Sequence, residues 1–84
     1  MSMTRLINRA VSVTMGPGGA PVAFQYAGGR ERVREVLDTW AETGRWWEQE
    51  PEQVAYRVAT QSGGVFELTF IPREKRWMLY KAYD

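Results

Sequence analysis

The last third of the chain alternates. Val54, Tyr56 and Val58 are spaced by two, Phe66, Leu68 and Phe70 repeat that spacing, and Trp77 and Leu79 carry it toward Tyr83. Successive side chains of a strand point to opposite faces, so each run gathers its large apolar groups on one face. Ser62-Gly63-Gly64 and Pro72-Arg73-Glu74-Lys75 separate the runs with turn-forming residues. The pattern predicts a three-stranded antiparallel meander. A three-residue loop at 62–64 sets Val58 opposite Leu68 and Tyr56 opposite Phe70. A four-residue turn at 72–75 sets Trp77 opposite Phe70 and Leu79 opposite Leu68. A slip of one residue brings Ala55, Arg57 and Ala59 onto the apolar face instead, so burial selects the aligned register. Tyr56, Phe70 and Trp77 then lie side by side, each cross-strand pair contributing about 0.2–1 kcal/mol.

The first half reads less cleanly. Arg5 to Met15 alternates imperfectly, Gly16-Pro17-Gly18-Gly19 interrupts it, and Val22, Phe24 and Tyr26 resume with period two. Two such runs around a Gly/Pro cluster predict a hairpin. Gly28-Gly29 is a good two-residue turn into the next segment. Residues 30–43 carry two patterns. Val33, Val36, Leu37 and Trp40 fall at helical spacing, with Gly44 as a C-terminal cap. A strand fits the same residues if a bulge near Arg34-Glu35 sets Val36 and Trp40 on one face. Arg45 to Glu52 reads as a loop, stopped by Pro51.

A core this small needs reinforcement. The chain has 84 residues and no cysteine or histidine, so disulfides are excluded and a zinc site has no ordinary ligands. Four Trp, four Tyr and three Phe supply large side chains instead. No apolar run is long enough for a membrane helix, and the N-terminus lacks a secretory signal pattern. A cytoplasmic protein with no membrane contact is the expectation, as the missing cysteines also fit a reducing compartment. Eleven Lys plus Arg against ten Asp plus Glu leave a net charge of +1, which disfavours dedicated duplex-DNA binding through phosphates.

The same composition argues against catalysis. Acid–base work at neutral pH usually rests on histidine or a strongly shifted carboxylate, and Ser or Thr nucleophiles need a base beside them. Glu48, Glu50 and Glu52 read as solvated loop charge. The glycine cluster at 16–19 has no Lys-Ser/Thr after it and is not a phosphate loop. No enzyme activity, cofactor or metal is expected. Arg45, Trp46 and Trp47 are the candidate binding residues in the loop, with Arg57 and Tyr80 on the strands. An exposed Trp beside Arg stacks on an unpaired base for about 1–3 kcal/mol. The alternative has Trp46 or Trp47 capping the open end of a small barrel. Arg30, Arg32 and Arg34 alternate with Glu31 and Glu35 and read as solvated charge. Unpaired meander edges offer a further mode, strand addition by a partner or a second copy.

Several segments carry a resemblance. They are Pro21-Val22-Ala23-Phe24, the run from Val33 to Trp40, Gly44-Arg45-Trp46-Trp47, Tyr56-Arg57-Val58, Gly64 to Leu68, and Arg76 to Tyr80 with Tyr83-Asp84. Together they resemble a family of short bacterial domains. They are also similar to the C-terminal segment of catalytically inactive Y-family DNA polymerase homologues in mutagenesis cassettes. The resemblance implies an accessory role in translesion DNA synthesis and a strand for residues 30–43. It carries over no catalytic residue. Glu31 stands where the family usually has an aromatic.

The reading is one mainly β domain over residues 1–84, a small antiparallel meander curved into an open SH3-like barrel with five or six strands. The alternative of a short helix within 30–43 stays open. The expected core holds Phe24, Val33, Trp40, Tyr56, Val58, Phe66, Leu68, Phe70, Trp77 and Leu79. The expected function is a non-enzymatic protein-interaction module accessory to DNA repair. Its alternatives are a single-stranded nucleic-acid-binding domain and a protein that self-associates through its edges.

Overall fold

A computed structural model describes residues 4–42 and 53–83. Seven strands form one antiparallel sheet: β1 (Thr4–Val11), β2 (Val13–Met15), β3 (Pro21–Tyr26), β4 (Gly29–Glu42), β5 (Gln53–Thr60), β6 (Val65–Ile71) and β7 (Arg76–Tyr83). Their order across the sheet is β1-β7-β6-β5-β4-β3-β2. The two outermost strands are therefore successive stretches of one chain, bent at Ser12. Val11 lies opposite Trp77 of β7, while Val13 lies opposite Phe24 of β3. The Gln25 N–H donates to the Ser12 carbonyl at 3.1 Å and pins the bend. The sheet thus curls until its ends meet, the open barrel that the alternation and turns predict. The expected hairpin from the first run exists only for β2; β1 leaves it to pair with the C-terminal strand.

The meander forms with one register correction. The loop between β5 and β6 closes at Thr60 and Gly64, where the Thr60 N–H donates to the Gly64 carbonyl at 2.9 Å. Gly63 takes a φ of 95°, the left-handed position of a three-residue hairpin loop. The fully buried Thr60 hydroxyl secures the loop, accepting from the Gly64 N–H at 3.2 Å and meeting the Ser62 hydroxyl at 3.1 Å. Val58 consequently faces Phe66, Tyr56 faces Leu68 and Val54 faces Phe70. The shift from the expected pairing is two residues, so every side chain keeps its face. On the other side, Phe70 faces Trp77 and Leu79 faces Leu68 as the turn length requires.

The described part of residues 30–43 holds no helix: Gly29–Glu42 is a single long strand. Its first part pairs with β3 at one edge, and Val33 to Glu42 pairs with β5 at the other. Two register shifts, after Val33 and after Val36, make Arg34 and Leu37 extra residues. Val33 lies opposite Thr60, Val36 opposite Val58 and Thr39 opposite Tyr56, so inward positions recur every three residues. Paired bulges thereby reproduce helical spacing in an extended chain. The second bulge also corrects the expected place of Trp40. Trp40 pairs with Ala55 on the outer face and is not a core residue.

Inside the barrel, Phe24, Val58, Phe66, Leu68, Trp77, Leu79 and Ala82 form the core, with Val33, Tyr56 and Phe70 packed against it. Edge-on rings link Phe24 to Phe66 at 5.2 Å, and Trp77 sits 5.0 Å from Phe70 and 5.5 Å from Tyr56. These separations are those of favourable aromatic pairs. The Trp77 indole N–H is buried there with no acceptor among the described residues.

Candidate interaction site

The outer face of β4 to β7 is built from the residues that alternate away from this core. Ala55, Arg57 and Ala59 of β5 lie beside Glu67 and Thr69 of β6, and Arg57 faces Glu67 directly. The face is unusually dry for one turned to solvent: Ala55, Ala59, Glu67 and Thr69 are all buried. Arg57 runs between two rings. Its guanidinium carbon is 5.3 Å from the centre of Trp40 and 5.4 Å from that of Tyr83. Asp38, opposite it on β4, approaches to 3.8 Å. The Arg57 Nε is buried with no hydrogen-bond partner among the described residues. The side chain is therefore committed to stacking within the face, by geometry that suits a planar guanidinium.

Tyr80 occupies an irregular place. The β6–β7 register shifts between Leu68 and Glu67, and the β1–β7 register shifts between Leu6 and Arg9. Tyr80 has no partner in either ladder, and Asn8 beside the break takes a φ of 49°. Bulges of this kind re-aim side chains. Here Tyr80 stands 36% exposed at the wall of a groove, with the Lys81 ammonium 5.2 Å from its ring centre. The groove holds about 270 Å³ and runs over Glu42, Gln53, Glu67, Thr69 and Met78 toward Asn8 and Arg76. The Tyr83 hydroxyl donates to Glu67 Oε1 at 2.9 Å, and the Trp40 indole N–H donates to Glu42 Oε1 at 3.3 Å.

A second accessible feature is the edge of β4. Val33 to Glu42 pairs with β5 on one side, and among the described residues no strand pairs with the other. This stretch exposes Val36 and Leu37, 38% and 47% accessible.

Of the sequence-derived candidates, Arg57 and Tyr80 share the outer face but serve different parts of it. Arg57 belongs to the Trp40–Tyr83 stack and Tyr80 to the groove. Arg45, Trp46 and Trp47 lie outside the described residues. Sequence reasoning missed Trp40, Glu67, Thr69 and Tyr83. The signal available was the small-residue pattern Ala55-x-x-x-Ala59, which leaves room on that face for large neighbours. Among the described residues no three acidic side chains gather to hold a metal ion, and no helix is long and apolar enough to cross a membrane.

Fold and face define the class: a small antiparallel open barrel with a stacked aromatic face and a polar outer groove. The chain belongs to the family described as a domain of unknown function, DUF6504, which it matches over residues 3–84. No curated protein and no solved structure matches it.

Proposed function

We propose that this domain is a non-enzymatic protein-interaction module that takes an extended segment of a partner along the free half of β4. The observation that carries the reading is that half-strand itself, with one ladder edge unpaired and Val36 and Leu37 exposed beside it. Strand addition supplies backbone hydrogen bonds for affinity and side-chain contacts for specificity. The two bulges twist the edge, which discourages indiscriminate sheet extension and favours a matched partner. The likeness to C-terminal segments of inactive Y-family polymerase homologues supports seeking that partner among proteins of translesion DNA synthesis.

Affinity capture with the intact chain and with Leu37→Lys tests the reading. A partner retained in stoichiometric amount by the parent chain and lost with Leu37→Lys is the expected result. A partner retained equally by both removes the β4 edge from the proposal. The nucleic-acid alternative is read in parallel, by anisotropy of a labelled single-stranded oligonucleotide at low and moderate salt. Salt-sensitive binding that Leu37→Lys leaves intact would replace the protein-partner reading.

A further inference from the structure

The described carboxylates are partnered unequally. Glu35, Asp38 and Glu74 each face an arginine, at 3.9, 3.8 and 2.7 Å from Arg34, Arg57 and Arg76. Glu31, to which the Ser62 hydroxyl donates, lies outside the groove; Glu42 and Glu67 likewise have no such cation among the described residues. Neutral donors hold them instead: Trp40 Nε1 and Gln53 Nε2 on Glu42, and the Tyr83 hydroxyl on Glu67. Both line the outer groove. Two cations lie opposite Glu67 in the register: Arg57 is drawn off to Trp40, Tyr83 and Asp38, and the Lys81 ammonium lies 5.2 Å from the Tyr80 ring centre without an ion pair to Glu67.

Burial sharpens the imbalance. Glu67 is only 7% exposed, and a carboxylate that deep is costly unless a cation and hydrogen bonds compensate it. Thr69, equally buried at 7%, lines the same groove. Tyr80, displaced by the bulge, adds an aromatic wall of the kind that attracts guanidinium and ammonium groups. Among the described residues the groove lining has one cation, Arg76, and Glu74 engages it.

We propose that the groove seats an arginine or lysine side chain of a protein partner, its cation between Glu42 and Glu67 and its stem along Met78 and Tyr80. The Thr69 hydroxyl accepts one of its N–H groups. This inference rests on the protein-interaction reading and adds the chemistry of what the partner presents.

The test titrates acetyl-arginine amide into the ¹⁵N-labelled intact chain, with acetyl-citrulline amide as the uncharged control. Saturable amide shifts confined to Glu42, Gln53, Glu67, Thr69, Met78 and Tyr80, with the arginine probe alone, are expected. Glu42 is exposed at the groove rim, so Glu42→Gln keeps the fold. It weakens arginine binding about five- to tenfold, the loss of one charge-assisted contact. Thr69→Val weakens it less. Equal shifts with citrulline, shifts scattered over the surface, or an affinity unchanged in Glu42→Gln overturns the proposal. Partner capture that depends on Leu37 without arginine binding sinks the groove alone. Arginine binding without partner capture sinks the β4 edge alone.

Discussion

At the scale of single residues, the β3–β4 turn holds a correctable strain. Ala27 and Gly28 are its two central positions, with φ of 52° and 78°. The turn sits one residue earlier than the Gly-Gly pair implies, so an alanine occupies a left-handed position that costs a side-chain-bearing residue about 1–2 kcal/mol. Ala27→Asn creates the Asn-Gly pair that such turns favour, and should stabilise the domain by about 0.5–1 kcal/mol, a rise of a few degrees in Tm. Thermal melts followed by circular dichroism check it; an unchanged or lower Tm contradicts the strain argument. Arg57 gives a second residue-scale prediction. Arg57→Ala should cost about 1–2 kcal/mol through lost ring stacking and stem packing. Arg57→Lys should recover less than half of that, because an ammonium cannot lie flat against Trp40 and Tyr83 together. Denaturant titrations of the three proteins give the ranking, and full rescue by lysine would reduce Arg57 to a surface charge. Trp77 sits differently. Its orphaned N–H carries a penalty of about 1–3 kcal/mol, so Trp77→Phe should cost well under the roughly 3–5 kcal/mol typical of Trp→Ala in a core.

At the scale of elements, β4 shows why one pattern supported two structures. Helical spacing and a doubly bulged strand both place Val33 and Val36 on one face, so apolar period cannot separate them. What separates them is pairing with β5, a contact distant in sequence. The meander was legible because turn residues and alternation agree, down to the pairing of Leu68 with Leu79. Its first loop was read one residue late, because Gly63-Gly64 offers two glycines and only the Thr60 hydroxyl bonds select the closing pair. The site was legible only in part. Arg57 and Tyr80 stood out as an arginine and an aromatic, but their roles depend on Trp40 of β4, Glu67 of β6 and Tyr83 of β7 coming together. Deletions in β4 test the bulge reading. Removing Leu37 leaves Val36 opposite Val58 and Asp38 opposite Arg57, so the domain should stay folded with a straighter edge. Removing Thr39 instead reverses the faces of the residues beyond the deletion or before it, and should abolish the cooperative melt. Similar melting of the two deletions would contradict the register. The straightened edge of the first should also raise self-association on light scattering.

For the whole molecule, the closure at Ser12 makes the first and last strands depend on each other. β1 covers β7, which carries Trp77, Leu79 and Ala82 of the core. A chain lacking residues 1–11 leaves β7 as an open edge and should lose cooperative unfolding rather than shed one strand quietly. A surviving sharp transition would show that the remaining strands form the folding unit. Because these contacts join opposite ends of the sequence, folding belongs with the slow, non-local β topologies, on the order of milliseconds to seconds.

The same pairing sets how the domain meets force. Thr4 lies opposite Tyr83, and the ladder runs from there to Val11 opposite Trp77. Tension applied at residues 4 and 83 pulls across the strands, along their hydrogen bonds, and loads the pairs one after another from the open end. The barrel therefore unzips under load instead of shearing, and β1 peels away before the rest feels the pull. Tethered at those two points, the domain is a soft link that yields early.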